Sequence, residues 1–272
     1  MSQQQSSTPA EMFDQYFGPA LFAPWARILL EHATPQPSER VLDLACGTGT
    51  VARHVAPMVG ATGKVVALDI NPDMLAVALS HPAPAGAPIE WRVGDATSLD
   101  LSHDAFDLVL CQQGLQFFPE RAAAVREVRR VLTDEGRVAL NVWQALDRHP
   151  VYEALCEAEA HQLGVPLSDV ATPWSLPDTG ELRALLSKAG FDRIEIMPRS
   201  LDVYFPSPER FVYLTLFAAA AFLPEFDWED EALRTALIEA VNLEIEPVVQ
   251  RYRSGERLIV PTFWHIAVAS AS

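Results

Sequence analysis

The amino-acid sequence predicts an α/β fold: a doubly wound, mostly parallel sheet of seven strands with a helical cap inserted near its end. Three observations lead to this prediction. Short apolar runs that suit buried strands alternate with segments of helical period from residue 40 onward. A glycine-rich turn follows the first run, and a carboxylate lies near the end of each of the first three runs. Such alternation is typical of parallel sheets that carry helices on both faces.

Residues 10–32 precede the first strand and carry aromatic and leucine side chains at helical intervals. Gly18-Pro19 and Pro24 interrupt this pattern, because proline lacks the N–H that a helix interior needs. We therefore expect two short helices with a break between them.

The first strand runs into the segment Asp43-Leu-Ala-Cys-Gly-Thr-Gly49, and a helix begins at Thr50. Gly47 and Gly49 permit backbone conformations that other residues avoid, and they let a ligand approach the chain closely. Asp43 places a negative charge here, which would repel pyrophosphate but suits a cationic or hydroxyl-bearing ligand. The turn therefore predicts a ligand site other than a phosphate cradle.

The spacing Gly47-x-Gly49-x-x-Ala52, with Asp69 further on, nevertheless matches the dinucleotide-binding pattern, which alone is a weak signal. The second and third strands, Lys64–Ile70 and Ile89–Asp95, also bring carboxylates to the carboxyl edge of the sheet, where ligands bind in open parallel sheets. A ligand touching all three carboxylates would have an adenosine-like middle and a positively charged tail.

The first of these segments resembles motif I of the class I S-adenosylmethionine-dependent methyltransferases, D-x-G-C-G-T-G, and departs from it only where Ala45 replaces the first glycine. Leu68–Leu75, Gly94–Ala96 and Phe106–Leu110 are similar to later motifs of that family, in the same order. The resemblance covers residues 40–143. It implies a Rossmann-like fold, S-adenosylmethionine as cofactor and S-adenosylhomocysteine as product.

The resemblance also implies which residues hold the cofactor. Asp69 would take the ribose hydroxyls, Asp95 the adenine amino group, and the Ala96 amide a ring nitrogen. Segments like residues 1–32 often fold over the cofactor in this family, which would bring the Tyr16 hydroxyl to the methionine carboxylate; the alternative is a helix that only packs. The expected cofactor contacts are Tyr16, Asp43, Ala45, Gly47, Gly49, Asp69, Ile70, Met74, Gly94, Asp95, Ala96 and Gln112. Met74 is equally well explained as an ordinary core methionine.

Composition narrows the classes of function. The net charge of -16, from 36 acidic and 20 basic residues, argues against a nucleic-acid partner. Three cysteines without a C-x-x-C pair, and no histidine cluster at zinc spacing, predict no metal site and fit a reduced, cytoplasmic setting. The start lacks a secretory pattern. The longest nearly apolar run, residues 211–223, is shorter than the ~18 to 20 residues that span a bilayer, so stable membrane insertion is not expected.

The loop Gln112–Pro119 follows the fourth strand at the edge where the transferred methyl group should emerge. It lacks the [D/N/S]-P-P-[Y/F] tetrapeptide of amino-methyltransferases that act on bases. We expect Gln113, Gln116 and Phe117 to contact the methyl acceptor, with plain loop residues as the alternative. Trp143, which ends the fifth strand, is expected to join them.

His149 follows the fifth strand and is the candidate general base, because an unperturbed imidazole accepts a proton near neutral pH. A structural or solvated histidine is the alternative, and His103 is a weaker second candidate.

The later elements complete the predicted sheet. They are a helix at Glu120–Leu132, a turn at Asp134–Gly136, a strand at Arg137–Trp143, helices at Val151–Leu163 and Gly180–Ala189, and strands at Phe191–Met197 and Phe263–Val268. The predicted domains are an N-terminal helical segment at 1–32, a core at 33–207 and 256–272, and a cap at 208–255. Phe211, Leu214 and Phe217 are expected to line an apolar acceptor pocket from the cap, or alternatively to be buried for packing.

Together these features predict transfer of the methyl group of S-adenosylmethionine to a small, largely apolar acceptor by direct in-line displacement. The chain is most similar to the ubiquinone and menaquinone C-methyltransferase group, but only in the cofactor half, so neither the acceptor nor the methylated atom follows. A nicotinamide-dependent oxidoreductase and a non-catalytic S-adenosylmethionine-binding protein are the alternatives. The sequence sets no oligomeric state, and a homodimer is among those it allows.

Overall fold

The structure is a computed structural model that describes residues 8–219 and 230–271. Its sheet has the strand order β3-β2-β1-β4-β5-β8-β6, with the two-residue β7 paired to β8. β1 to β5 pair in parallel, and β8 pairs antiparallel to β5. This confirms the predicted doubly wound, mostly parallel sheet. The strands are β1 Arg40–Leu44, β2 Lys64–Asp69, β3 Ile89–Val93, β4 Phe106–Gln112, β5 Leu132–Trp143, β6 Arg193–Phe205, β7 Arg253–Ser254 and β8 Arg257–Ser270.

Helices connect β1 to β2, β2 to β3 and β4 to β5, because parallel neighbours need a crossover connection. The α-helices that the structure describes are α1 Pro9–Met12, α2 Ala23–Ala33, α3 Thr50–Val59, α4 Pro72–Ser80, α5 Arg121–Val131, α6 Pro150–Leu163, α7 Leu167–Val170, α8 Thr179–Lys188, α9 Pro208–Ala219 and α10 Glu231–Tyr252. The predicted start of α3 at Thr50 is confirmed. Asn71 caps α4 by accepting a hydrogen bond from the Asp73 amide, as the order Asn71-Pro72 indicates.

Two local predictions are wrong. The chain does not break at Gly18-Pro19: Phe13–Phe22 is π-helical and leads directly into α2, so the wider helix accommodates the proline. The turn expected at Asp134–Gly136 lies inside β5. There the pairing with β4 passes from Phe106 opposite Leu132 to Leu108 opposite Arg137, and the residues between bulge out of the ladder.

The chain divides into two compact units, which we call the sheet unit and the helical unit. The sheet unit comprises Phe22–Gln144, Pro173–Arg199 and Trp264–Ser272. One face of its sheet is covered by α5 and α8 through a core of aliphatic side chains that includes Leu44, Val128 and Leu186. Burial of such side chains is the main source of stability for a fold of this size.

The helical unit comprises Met1–Leu21, Ala145–Thr172 and Ser200–Phe263. It joins α6 and α7 to the segment predicted as a cap, and within it α6 packs against α10. The predicted cap at 208–255 therefore stays a prediction. Phe211 and Leu214 are buried within this unit, and the side chain of Phe217 lies outside the described residues. Within the described ranges, none of the helices has both the length and the apolar character that a membrane span requires.

Candidate cofactor and acceptor site

Asp69 joins the end of β2 to the glycine turn that follows β1. Its Oδ2 accepts a hydrogen bond from the Gly47 amide at 2.8 Å, and its Oδ1 accepts one from the Asn71 amide at 2.9 Å. Burial raises the pKa of Asp69, and these backbone amides oppose that rise. A carboxylate offers about four lone-pair sites, so each oxygen keeps capacity for a ligand hydroxyl.

The two glycines of the turn have different surroundings. Both adopt positive φ, at 53° for Gly47 and 81° for Gly49. A Cβ on Gly47 would meet no atom within 4 Å, so space is open beside it. A Cβ on Gly49 would overlap the indole ring of Trp91 on β3. Gly47 therefore lies beside space that a ligand can occupy. Gly49 is required because Trp91 packs against it, and sequence spacing does not reveal this contact.

Asp43 is buried, with 1% of its surface exposed, and its Oδ2 accepts a hydrogen bond from the Ala52 amide in the first turn of α3 at 2.8 Å. Burial raises the pKa of Asp43 to about 8, and the nearby charge of Asp69 adds to this. Burial therefore favours the protonated form of the carboxyl group, whereas the sequence leads us to expect a fixed negative charge. In this structure it anchors α3 to β1, and its contact with a cofactor stays a prediction.

Asp95 follows β3 and is exposed, with Oδ1 accepting hydrogen bonds from the amide and hydroxyl of Thr97, both at 2.8 Å. These bonds lower the pKa of Asp95, which keeps the carboxylate charged at neutral pH. Ile70 and Val93, at the ends of the neighbouring strands, are 69% and 64% exposed. An anionic acceptor beside two exposed aliphatic side chains suits a flat base that carries an amino group.

The other expected cofactor contacts lie near the same strand ends. The Gly94 amide donates to the Asp69 carbonyl at 3.0 Å, Ala96 is buried, and Met74 is half-buried on α4. Ala45, in the position of the family's glycine, has φ of 55°, a left-handed conformation that is costly for alanine.

Gln113 and Gln116, which are expected to contact the acceptor, lie in a buried amide cluster with Gln112, the last residue of β4 and an expected cofactor contact, and with Asn141 inside β5. Each is at most 9% exposed. The Gln116 amide group donates to the Gln113 side-chain oxygen at 2.5 Å, and Asn141 Oδ1 accepts from the Gln113 backbone amide at 3.1 Å. Sequence reasoning missed Asn141, whose signal is a lone amide within an otherwise apolar strand.

Trp143 lies two residues beyond Asn141 on β5 and belongs to a cluster of tryptophans. Its ring centroid is 5.0 Å from that of Trp264 and 5.3 Å from that of Trp174, and Trp25 stacks on Trp264 at 4.2 Å. Phe117 is half-buried on the loop after β4. This side of the sheet unit therefore places apolar aromatic surface next to the amide cluster.

His149 and Tyr16 lie in the helical unit. His149 is fully buried; its Nδ1 lies 3.0 Å from the Ala145 carbonyl oxygen, and its Nε2 accepts from the Phe263 amide at 3.0 Å. Burial lowers the pKa of His149 to about 4. The Arg210 guanidinium lies over the Tyr16 ring, 4.0 Å from its centroid. The roles of His149 as a base and Tyr16 as a cofactor contact stay predictions.

Comparison with known proteins identifies related sequences. A methyltransferase domain family matches residues 41–136. The chain is 33% identical over 133 residues to the 2-phytyl-1,4-naphtoquinone methyltransferase of Synechococcus elongatus, covering 48% of this chain and 55% of that protein. It is 31% identical to the ubiquinone/menaquinone biosynthesis C-methyltransferase UbiE of Ralstonia pickettii, covering 63% of this chain and 74% of that protein.

Solved structures show the same fold. YcgJ of Bacillus subtilis aligns with a TM-score of 0.59 and 18% identity over 91% of this chain and 98% of its own. A phosphoethanolamine N-methyltransferase of Haemonchus contortus in complex with S-adenosyl-L-methionine aligns with a TM-score of 0.55 and 16% identity, over 99% of this chain and 61% of its own.

The fold, with a glycine turn and carboxylates at the ends of its strands, is that of a Rossmann-like protein. The chain belongs to the class I S-adenosylmethionine-dependent methyltransferase family.

Proposed function

We propose that this chain transfers the methyl group of S-adenosylmethionine to a small, largely apolar organic acceptor by direct in-line displacement. The observation that carries the proposal is the hydrogen bonding of Asp69 to the glycine turn, which fixes a carboxylate beside the open space at Gly47. The matched relatives are described as quinone methyltransferases, which supports an acceptor of that general kind.

The residues at the strand ends fit the cofactor. Asp69 would accept hydrogen bonds from the two ribose hydroxyls with its remaining lone pairs, and Asp95 would accept one from the adenine amino group through Oδ2, since both of its bonds within the chain use Oδ1. Ile70 and Val93 would cover the faces of the base. The open side of Gly47 would accommodate the methionine part.

When bound, S-adenosylmethionine supplies a methyl group already activated by the positive charge on sulfur. The chain's own task is then to place the acceptor in line with that methyl group and to exclude water, which accelerates the reaction through proximity and orientation. The aromatic cluster around Trp143 would supply a dry, apolar wall for this purpose, beside the buried amides of the loop after β4.

We infer that His149 supports the fold rather than acting as the general base. The neutral Nδ1–H tautomer would donate to the Ala145 carbonyl and accept from the Phe263 amide at Nε2, which also lies 3.1 Å from the Phe263 carbonyl oxygen, so both ring nitrogens are engaged. A base with a pKa near 4 is also poorly matched to proton abstraction at neutral pH.

Two measurements test the proposal. Calorimetry with S-adenosylhomocysteine and, separately, NADH distinguishes a methyltransferase site from the nicotinamide alternative; we expect micromolar or tighter affinity for the first and no detectable binding of the second. Release of S-adenosylhomocysteine from labelled cofactor with a panel of quinols then distinguishes an enzyme from a binding protein. Tight binding of NADH would contradict the proposal. Binding of S-adenosylmethionine without methyl transfer to any acceptor in the panel would also contradict it.

A further inference from the structure

The amide cluster contains buried polar atoms that form no hydrogen bond with the described residues. Gln112 Oε1, Gln113 Nε2, Gln116 Oε1 and Asn141 Nδ2 are buried and have no hydrogen-bond partner among the described residues. Leaving a buried polar group unpaired typically costs about 1 to 3 kcal/mol, so four in one cluster need an explanation.

The orientation of two of these amides is fixed by backbone partners. Gln112 must point Nε2 at the Phe22 carbonyl, to which it donates at 3.0 Å, and this leaves Oε1 as a free acceptor. Asn141 must point Oδ1 at the Gln113 backbone amide, and this leaves Nδ2 as a free donor. Gln112 and Asn141 are paired positions on the neighbouring strands β4 and β5. The side chain with the free acceptor and the side chain with the free donor therefore lie on the same face of neighbouring strands.

The Gln113–Gln116 pair adds one more free donor and one more free acceptor. These side chains share one hydrogen bond, and exchanging oxygen and nitrogen in both amides still leaves one donor and one acceptor unused. All four groups are uncharged. The neighbouring guanidinium of Arg121, which donates to the Gln116 backbone carbonyl, is paired with Glu181. The cluster is therefore suited to a neutral group, because a buried ion would lack a counter-charge.

The cluster is next to the glycine turn. Gly114 lies within its loop, and a Cβ on Gly114 would come within 2.7 Å of the Ala45 Cβ, so the loop touches the turn that follows β1. Trp143 lies two residues beyond Asn141 on β5, on the same face of the strand, and belongs to the tryptophan cluster. A molecule held by the amides would thus have the turn and aromatic surface as neighbours.

We propose that the amide cluster is the polar subsite for a neutral hydroxyl or carbonyl group on an aromatic methyl acceptor. This rests on the proposed function and deepens it, since it selects an oxygen-bearing, uncharged ring over a charged or purely hydrocarbon acceptor. A hydroxyl group can donate to Gln112 Oε1 and accept from Asn141 Nδ2 at once, and a carbonyl can accept from the free donors.

A matched pair of probes tests the proposal by binding rather than by turnover. Calorimetry with 1-naphthol and with 1-methylnaphthalene compares a ring that carries a hydroxyl with one that carries a methyl group. It is run on the full chain, with and without saturating S-adenosylhomocysteine. We expect the wild-type chain to bind 1-naphthol at least about tenfold more tightly than 1-methylnaphthalene. The probe without the hydroxyl leaves the buried amides unpaired.

The variant Gln113→Met/Gln116→Met removes both members of a bonded pair at nearly constant volume, which is expected to preserve or raise stability. Its preference for 1-naphthol should fall roughly threefold or more, while its affinity for S-adenosylhomocysteine stays unchanged. Gln112→Met serves as a second variant with the same expected loss of preference. The control is Gln144→Met: Gln144 is equally buried but donates to the Trp264 carbonyl at 3.0 Å, so this change should lower stability and leave the preference intact.

Three outcomes would overturn the subsite. Equal affinity of wild type for the two probes would mean that the amides bind no acceptor group. They would then only stabilise the loop, hydrogen-bonded to water or to one another. An unchanged preference in both methionine variants would place the selectivity elsewhere. Loss of S-adenosylhomocysteine affinity in the double variant would assign the amides to the cofactor. Failure of wild type to bind S-adenosylhomocysteine would instead reject the proposed function, and the probe preference without cofactor would still decide the subsite.

Discussion

The methyl group of Ala45 occupies the space that a side chain on Gly114 would need. A Cβ on Gly114 would lie 2.7 Å from the Ala45 Cβ and 2.8 Å from Cys111 Sγ, well inside contact distance. Ala45 itself stands where the family motif has glycine, and it adopts a left-handed φ of 55°. The turn after β1 and the loop after β4 are therefore matched to each other in side-chain size.

Gly114→Ala should destabilise the chain by about 1 to 3 kcal/mol through overpacking, because the φ of Gly114, -98°, is accessible to alanine and only the contact is unfavourable. Ala45→Gly alone should change stability by less than about 1 kcal/mol. Glycine removes the strain of a left-handed φ at this position, but it also has greater conformational freedom in the unfolded chain, and the two effects offset each other. The double variant should recover part of the loss; urea unfolding of all four proteins measures the coupling. Additive effects would show that the two residues are not matched.

This relationship marks the limit of what the sequence predicts. The strands, the turn and the carboxylates at their ends follow from apolar periodicity and from the rule that parallel strands present their carboxyl ends at one edge. The contact of Ala45 with Gly114 joins positions far apart in the chain, and no local pattern encodes it. The same holds for Trp91 over Gly49, which depends on how α3 and β3 approach one another.

Burial also bears on two of the expected roles. The positions of Asp43 near the end of β1 and of His149 after β5 suggest a ligand contact and a general base, but a sequence does not show how completely a side chain is covered. In the structure Asp43 is 1% exposed and His149 is 0% exposed, and burial moves the pKa of each toward the neutral form. Asn141 escaped notice for the converse reason, because a single amide in an apolar strand carries no motif.

Asp69→Ala should weaken S-adenosylhomocysteine binding tenfold or more, because charge-assisted hydrogen bonds are each worth about 1.5 to 3 kcal/mol. The change also removes the acceptor for the Gly47 and Asn71 amides, so some stability should be lost. A 2′-deoxy analogue of S-adenosylhomocysteine separates the two effects in calorimetry: the wild type should prefer the ribose form, and the variant should not. Asp100→Ala, at an exposed acid beyond β3, is the control. A variant that kept the preference would show that Asp69 shapes the turn without touching the ribose.

Glu159 on α6 should make the chain less stable as pH rises. It is 1% exposed, its Oε1 has no partner among the described residues, and burial raises its pKa to about 8. Between pH 4.5 and 8 the folded chain keeps a proton that the unfolded chain releases, so the free energy of unfolding falls as pH increases through that window.

Glu159→Gln removes the titrating group and should therefore gain stability relative to wild type between pH 5 and pH 8, by roughly 1 to 4 kcal/mol. Urea unfolding at the two pH values gives the difference. Glu157→Gln, at an exposed position on the same helix, should show no such change. A difference between wild type and Glu159→Gln that is the same at both pH values would mean that Glu159 is ionised in the folded chain.

The contribution of His149 to stability changes with pH in the opposite direction to that of Glu159. Its pKa is lowered to about 4 by burial, so below pH 6.5 the unfolded chain takes up a proton that the folded chain excludes until about pH 4. Wild-type stability should therefore fall as pH drops through this window. His149→Gln cannot satisfy both the Ala145 carbonyl and the Phe263 amide, so at pH 7.5 it should be less stable than wild type by about 1 to 2 kcal/mol. That gap should narrow by roughly 1 to 2 kcal/mol at pH 5, because only wild type loses stability through His149.

Urea unfolding at both pH values, paired with methyl-transfer rates, distinguishes a fold-supporting histidine from a general base. His103, the weaker candidate for the base, is exposed between β3 and β4, so His103→Gln is the control and should alter neither quantity. If His149 supports the fold, the folded variant should keep kcat within a few-fold of wild type, with a pH profile of the same shape. A large drop in kcat in a variant whose stability equals wild type at both pH values would restore His149 to the role of base, because a purely structural contact cannot be lost without cost to folding.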